Sequence, residues 1–221
     1  MITLKRFRRI EAALWASGYD YASTQPPTLN PPRSAEAFAA KAIYVICNSG
    51  MRVTVAQPIH RRCMSALRQG ASASTVFGHP GKVVAIDEIW ANRTALFRRY
   101  RDCEDKLEFC QKLPWIGPIT KGHLAKNLGV DTIKEDRHLQ RLADFEGSTA
   151  LQMCQRIARQ TGYRLATIDS ILWRACADGI LNSMRYQFEG WRGSFHPGPL
   201  DKLPIEVVRA ADELAADEKQ T

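Results

Sequence analysis

Several features are missing from this 221-residue sequence, and each absence narrows what the chain can be. No apolar run approaches the roughly 18 residues that a membrane-spanning helix needs. The basic N-terminus lacks the uninterrupted apolar core of a signal peptide. Almost no segment alternates apolar and polar residues, as half-buried strands do, and no internal repeat is present. We therefore expect an all-α, intracellular protein without a membrane-spanning segment.

The cysteine and histidine content excludes other classes of site. The six cysteines form no CxxC pair and lie within apolar or helical patterns, which is typical of reduced, buried thiols in a cytosolic protein. His60 and His79 are not at metal-ligand spacing with any acid or cysteine. No metal and no cofactor are expected.

A basic excess is the clearest compositional feature that is present. The chain carries 31 Lys and Arg against 23 Asp and Glu, a formal net charge of +8 and a pI near 9.3. Such a balance suits a polyanionic partner. On charge alone, a merely basic protein is an equally good interpretation.

Helical periodicity runs through most of the chain. Ser34 is placed to cap an apolar helix that ends at Asn48-Ser49-Gly50. Asp169 is expected to cap a later helix. A proline-rich connector is predicted at 25–32 and a polar, acidic helix after Leu203. The other predicted helices cover 4–18, 53–67 with Pro58 bending or restarting it, 82–90, 93–112, 118–128, 148–162 and 169–179.

The stretch from Leu113 to Arg141 has the most specific pattern. It opens with a turn marked by Pro114 and Gly117 and continues into a helix that Gly129 is placed to end. Free backbone N–H groups and the helix dipole at such a helix start suit a phosphate. A carboxylate follows one helix later, in the segment Glu135-Asp136-Arg137-His138.

This stretch, LP-x-IG-P-x-T…HLAKNLG…ED-R-H-L-x-RLA, resembles the core signature of helix-hairpin-helix (HhH-GPD) DNA glycosylases. That superfamily carries an L-P-G-[IV]-G hairpin and, after one helix, a catalytic Asp in a V-D-x-H-[VIL]-x-R setting. The resemblance is dense over about thirty residues and extends weakly upstream through AIYVICNSGMRV. It implies two helical subdomains with a DNA-binding cleft between them.

The sequence departs from this signature at three positions. Trp115 replaces the first hairpin glycine, so the phosphate-binding turn is expected to differ in detail. Pro118 removes one N–H group from the helix start. Ile119 occupies the position of the nucleophilic lysine of lyase-active members. Lys121 lies about 200° further around the helix and cannot easily replace it. The C-x6-C-x2-C-x5-C run of the members with an iron–sulfur cluster is also absent.

The resemblance assigns site residues position by position. Asp136 is the expected catalytic residue, stabilising an oxocarbenium-like sugar and orienting a water. The residues expected to contact the DNA backbone are Trp115, Gly117, Thr120, Lys121, Arg137 and His138. Candidates for the base pocket, or for filling the gap left by a flipped nucleotide, are Asn48, Ser49, Met51 and Arg52. A plain helix end with a core methionine explains the last four residues as well.

The expected function is therefore a DNA glycosylase that flips and hydrolytically excises a modified or damaged base, without lyase activity. We expect a monomer that acts on double-stranded DNA, in the cytoplasm and at the nucleoid if the cell is bacterial. The expected subdomains are 46–134, with the hairpin at 113–129, and 1–45 plus 135–221. The alternatives are a non-catalytic helix-hairpin-helix DNA-binding module, which would not need Asp136, and a helical scaffold, which would leave the hairpin and the basic excess unexplained.

Overall fold

The protein is all-α over the residues that the computed structural model describes, which are 1–19 and 30–196. These residues form eleven α-helices and one short 3-10 turn, and the only β-type pairing among them is an isolated bridge between Leu181 and Phe195. None of the described helices has both the length and the apolar character needed to cross a membrane. The tail predicted after Leu203 and residues 25–29 of the proline-rich connector lie outside the described residues.

The chain folds into two compact units, which are described separately. One unit consists of Met1–Pro27 with Glu135–Thr221, and the other is Thr28–Lys134. The second unit therefore begins at Thr28 and not at residue 46 as expected. The reason is that the whole helix Ala35–Asn48 is part of its core, so a boundary within that helix would divide one continuous apolar surface.

The unit Thr28–Lys134 is built around its first helix. Seven side chains of α2 (Ala35–Asn48) are fully buried, on nearly all sides of the helix, as its apolar composition predicts. Ser34 caps α2 by accepting from the Ala37 N–H group at 3.1 Å, which confirms that predicted start. The other helices of this unit are α3 (Val53–Arg68), α4 (Pro80–Ala91), α5 (Arg93–Asp102), α6 (Lys106–Gln111) and α7 (Pro118–Asn127).

One predicted helix is divided in two in the structure. The segment expected to form one helix over 93–112 breaks after Asp102, and a new helix, α6, begins where the Asp105 carboxylate accepts from the Glu108 N–H group at 2.8 Å. The Lys106 amine bonds the carbonyl groups at the end of α5, including that of Tyr100 at 2.6 Å, and so stabilises the break. Helix α3 continues through Pro58, so of the two predicted effects, a bend or a restart, the restart does not occur.

The other unit combines the N-terminal helix with the C-terminal part of the chain. Its helices are α1 (Leu4–Ala16), α8 (Arg137–Phe145), α9 (Ala150–Thr161), α10 (Leu165–Ala177) and α11 (Ser183–Glu189). The fully buried Ile2 joins the two segments: its N–H group donates to Glu146 at 2.5 Å, and its carbonyl accepts from Arg156 at 2.8 Å.

The predicted cap at Asp169 is wrong. Helix α10 begins at Leu165, after Arg164, so Asp169 lies inside the helix and is only 1% exposed. The apolar periodicity begins one turn earlier than expected, because Leu165, Thr167 and Ile168 already form part of the helix.

Candidate functional site

The turn between α6 and α7 is fixed by two apolar anchors. Leu113 and Ile116 are each only 5% exposed and pack into the core of the unit. The Ile116 N–H group donates to the Leu113 carbonyl at 3.1 Å, which closes the turn. Between these anchors lies Trp115, at φ +64°, the one non-glycine of the described residues with a positive φ. The turn thus adopts a left-handed conformation where the resembled signature has glycine, although the residue is Trp.

The N–H groups of this turn differ in availability. The Gly117 N–H group donates to Thr120 Oγ1 at 2.8 Å and therefore points back into the protein. Within the described residues, the N–H groups of Trp115, Ile119 and Thr120 have no protein acceptor. Ile119 and Thr120 belong to the first turn of α7, where N–H groups have no intrahelical partner. These three donors, and not those of Leu113, Ile116 and Gly117, are the ones that an anion could reach.

The side chain of Trp115 brings the turn together with one of the predicted base-pocket residues. Its Nε1 donates to Ser49 Oγ at 3.1 Å, and its ring meets the ring of His79 edge-to-face at 5.2 Å between centroids. A Cβ atom placed on Gly81 would lie 2.5 Å from Trp115 Cζ3, so the indole occupies the space beside that glycine. The indole nevertheless stays 44% exposed.

The residues around the end of α2 have different environments. Asn48 is the last residue of the helix, and among the described residues its buried Oδ1 has no hydrogen-bond partner. Ser49 is the C-cap and contacts Trp115. Met51 is half-buried and packs against the core of the unit. Arg52 is exposed and precedes α3 without making a side-chain cap.

The buried amine of Lys82, which the sequence did not indicate, binds the carbonyl groups at the end of α2. Lys82 is 3% exposed, and its amine donates to the carbonyls of Cys47 at 3.3 Å and Ser49 at 2.6 Å. Burial lowers the pKa of Lys82 below its ordinary value. Its charge lies at the C-terminal end of α2, which the helix dipole favours. Nothing in the local sequence signals this contact, because Ser49 and Cys47 lie 33 and 35 residues before Lys82 in the chain.

Lys121 connects the two helices on either side of the turn. Its amine donates to Gln111 Oε1 at 2.7 Å, joining α7 to the end of α6 at the surface. Ile119, two residues earlier, is 56% exposed, so a larger side chain fits there without displacing the core.

Asp136 lies in the other unit, with Arg137 and His138. It is the N-cap of α8 and is 9% exposed, and its Oδ1 accepts from the N–H groups of His138 at 2.9 Å and Leu139 at 3.3 Å. Capping positions the carboxylate at the positive end of the helix dipole. Arg137, the first residue of α8, is exposed.

The side chains of Ser183 and Cys176, which the sequence did not indicate, lie near His138 and Asp136. His138 Nδ1 and Ser183 Oγ are 2.8 Å apart, and Ser183 is 4% exposed. Burial, with a smaller contribution from the Asp136 charge, raises the pKa of the Cys176 thiol to about 12, although a hydrogen bond with Ser183 opposes the shift. Cys176 is therefore a neutral thiol and not a nucleophile at physiological pH.

The predicted site residues thus fall into two groups. The hairpin turn, Lys121 and residues 48–52 belong to the unit Thr28–Lys134, and Trp115 and Ser49 are in direct contact there. Asp136, Arg137 and His138 belong to the unit that includes α8 and α11. Comparisons of this chain with protein-family models, with curated proteins and with solved structures find no match.

Proposed function

We propose that this protein is a DNA N-glycosylase of the helix-hairpin-helix type. It flips a modified base out of duplex DNA and hydrolyses its N-glycosidic bond. The observation that carries this proposal is the environment of Asp136. Its carboxylate is 9% exposed at the start of α8 and accepts from two backbone N–H groups. Asn, Ser and Asp cap helices about equally well. Capping therefore does not require the negative charge, whereas stabilising a sugar cation does.

The hairpin supports the proposal through its backbone donors. Three N–H groups, those of Trp115, Ile119 and Thr120, have no protein acceptor within the described chain. Two of them begin α7, where the helix dipole adds attraction for an anion. Such donors bind phosphate oxygens of DNA regardless of sequence and fix the position of the protein along the strand. Lys121 lies on the same helix and supplies a positive charge.

The reaction requires three events, which the protein must promote. The base must leave the stack, the sugar must carry positive charge as the glycosidic bond breaks, and a water must add at C1′. In the proposed reaction the Asp136 carboxylate stabilises the developing cation and orients the water. His138, which is 2.8 Å from Ser183, positions the start of α8 and so the carboxylate that caps it.

The proposed enzyme is monofunctional. The position of the lyase nucleophile in the resembled superfamily holds Ile119, which has no amine to attack C1′. Lys121, the nearest lysine along the helix, donates to Gln111. The product is therefore an abasic site in an unbroken strand.

A non-catalytic DNA-binding module is the second candidate, and one observation favours it. The three available N–H groups and Lys121 all belong to the unit Thr28–Lys134, so the proposed phosphate clamp is complete without Asp136. The two candidates make the same prediction for DNA affinity and opposite predictions for base excision.

The test is abasic-site formation on a panel of duplexes that each carry one modified base. The variant Asp136→Asn keeps a capping oxygen and should retain fold and DNA affinity while losing at least about 100-fold in excision rate. Asp105→Asn is the matched control, because Asp105 also caps a helix through its carboxylate. It should retain full activity.

The outcomes separate the two candidates. Excision that survives in Asp136→Asn would remove the catalytic assignment. If the unmodified protein binds DNA but excises nothing from a broad panel, the non-catalytic module becomes the better account. Loss of activity in both Asn variants would indicate a structural effect of replacing a cap.

A further inference from the structure

Trp115 combines two properties that rarely occur together. Its backbone is left-handed at φ +64°, a conformation that L-residues adopt only at a cost in free energy. Its indole, the largest side chain type available, is 44% exposed. A glycine would adopt the same turn without strain. The tryptophan must therefore contribute something that the turn itself does not need.

The indole is also held in one orientation. Its Nε1 donates to Ser49 Oγ at 3.1 Å, and Ser49 is in turn fixed by Lys82, whose amine donates to its carbonyl at 2.6 Å. The six-membered ring lies beside Gly81, where a Cβ atom would come within 2.5 Å of Cζ3. The ring of His79 meets it edge-to-face. The protein thus presents a rigid aromatic surface to solvent.

Burial does not explain this arrangement. A tryptophan that served only to fill the core would lie inside it, as the anchors Leu113 and Ile116 on either side do, at 5% exposure each. Backbone strain that is retained together with an exposed aromatic ring points to a ligand for the ring.

We propose that Trp115 is a nucleobase-stacking residue: its indole takes up an unstacked base of the strand whose phosphates bind at the turn. This inference rests on the proposed binding of DNA. The same turn offers the available N–H groups of Trp115, Ile119 and Thr120, which suit the phosphate of a nucleotide, and the indole supplies the surface for its base. Stacking tolerates any base, because every base has a π face.

The test compares two DNA probes of the same length, a fully paired duplex and a duplex with one unpaired adenine. Trp115→Gly removes the indole and relieves the backbone strain. It should weaken binding of the bulged duplex about 5- to 150-fold, the range for loss of one stacked base. Binding of the paired duplex should change less than about threefold. Trp115→Phe retains a ring and should bind the bulged duplex more tightly than Trp115→Gly.

Trp15→Ala is the matched control, because Trp15, on α1 in the other unit, has nearly the same exposure, 45% against 44%. It should bind both probes as the unmodified protein does. The melting temperature of Trp115→Gly should not fall, since strain relief offsets the lost contacts of the ring.

Four results would overturn the inference. Equal weakening on both probes would mean that Trp115 shapes the turn and does not stack on a base. Unchanged binding of the bulged duplex by Trp115→Gly, or an equal loss in Trp15→Ala, would mean that no base stacks on Trp115. Failure of the unmodified protein to bind either duplex would remove the proposed function itself, and the inference with it.

Discussion

At the scale of single residues, Gly122 shows how closely the chain packs behind the hairpin. It lies buried in α7, and a Cβ atom there would be 2.2 Å from the Ile133 carbonyl oxygen. A real Cβ contact never comes so near a backbone atom, so one of the two segments would have to move. The absence of a side chain at Gly122 therefore lets the segment after α7 return along the helix.

We predict that Gly122→Ala lowers the free energy of unfolding by about 1–3 kcal/mol, as overpacking does. Helix propensity predicts the opposite sign, since alanine favours a helix over glycine. Gly78→Ala is the control, because Gly78 has no atom within 4 Å of its added Cβ and no positive φ. Urea unfolding measures both variants. A stability equal to that of the unmodified protein in Gly122→Ala would show that the 130–134 segment moves away without cost.

Ile119 permits a gain-of-function test of the proposed chemistry. The side chain is 56% exposed at the start of α7, so lysine can replace it without disturbing the core. If the resemblance holds at this position, Ile119→Lys should form a Schiff base with the sugar that borohydride traps as a covalent adduct with DNA. The unmodified protein should form none. An adduct in the unmodified protein would identify another amine, with Lys121 the first to test by Lys121→Gln.

At the scale of elements, three helices of one unit meet through partly buried aromatic rings. Tyr44 on α2 contacts His60 on α3 and His123 on α7, with ring centroids 5.5 Å and 6.2 Å apart. Burial, with smaller contributions from the charges of Lys134 and Lys126, lowers the pKa of His123 to about 3. Burial also lowers the pKa of His60, although its ring bonds the Ala40 carbonyl. Both imidazoles are therefore neutral in the folded unit at neutral pH.

This arrangement predicts acid sensitivity. The unfolded chain takes up a proton on His123 near pH 6.5, whereas the folded chain does so only near pH 3. Between these values the unfolded state binds more protons, so the free energy of unfolding falls as the pH falls from 6.5 towards 3. Each such histidine contributes up to about 1.4 kcal/mol per pH unit in this window.

The measurement is urea unfolding at pH 7 and pH 5. We predict that His123→Phe, which keeps a ring against Tyr44, loses less stability between these two values than the unmodified protein does. His79→Asn is the control, because His79 is an exposed helix cap that asparagine can replace. An unchanged pH dependence in His123→Phe would show that His123 is not the group that takes up the proton.

At the scale of the whole molecule, the formal charge of +8 bears on DNA binding. Phosphate contacts release counterions. The logarithm of the association constant for undamaged duplex should therefore fall linearly with the logarithm of the salt concentration. Lys121→Glu should weaken binding to all sequences about equally and reduce the slope by about 1 if Lys121 contacts a phosphate. Arg159→Glu changes the net charge by the same amount on the exposed side of α9 and is the matched control.

Affinity that does not depend on salt would contradict the proposed phosphate contacts. An equal loss in Lys121→Glu and Arg159→Glu would attribute the effect to net charge and not to a contact at the hairpin. Loss of binding to one sequence alone would indicate recognition of bases.

The sequence by itself determined the helical class and several helix ends. Periodicity and caps are local properties, and Ser34 and Gly129 act where the chain predicts, with Gly129 at positive φ after a helix. The break before α6 was also encoded locally, by Asp105, but the continuous apolar period over 93–112 concealed it.

Only the tertiary structure decided the environment of the candidate site. The orientation of the Trp115 indole, the buried amine of Lys82 and the pairing of His138 with Ser183 each depend on partners more than 30 residues away in the chain. The same holds for the start of the unit at Thr28, which follows from how α2 packs. Periodicity reports which face of a helix is buried. It does not report which distant atoms lie against that face, because long-range packing sets that pairing.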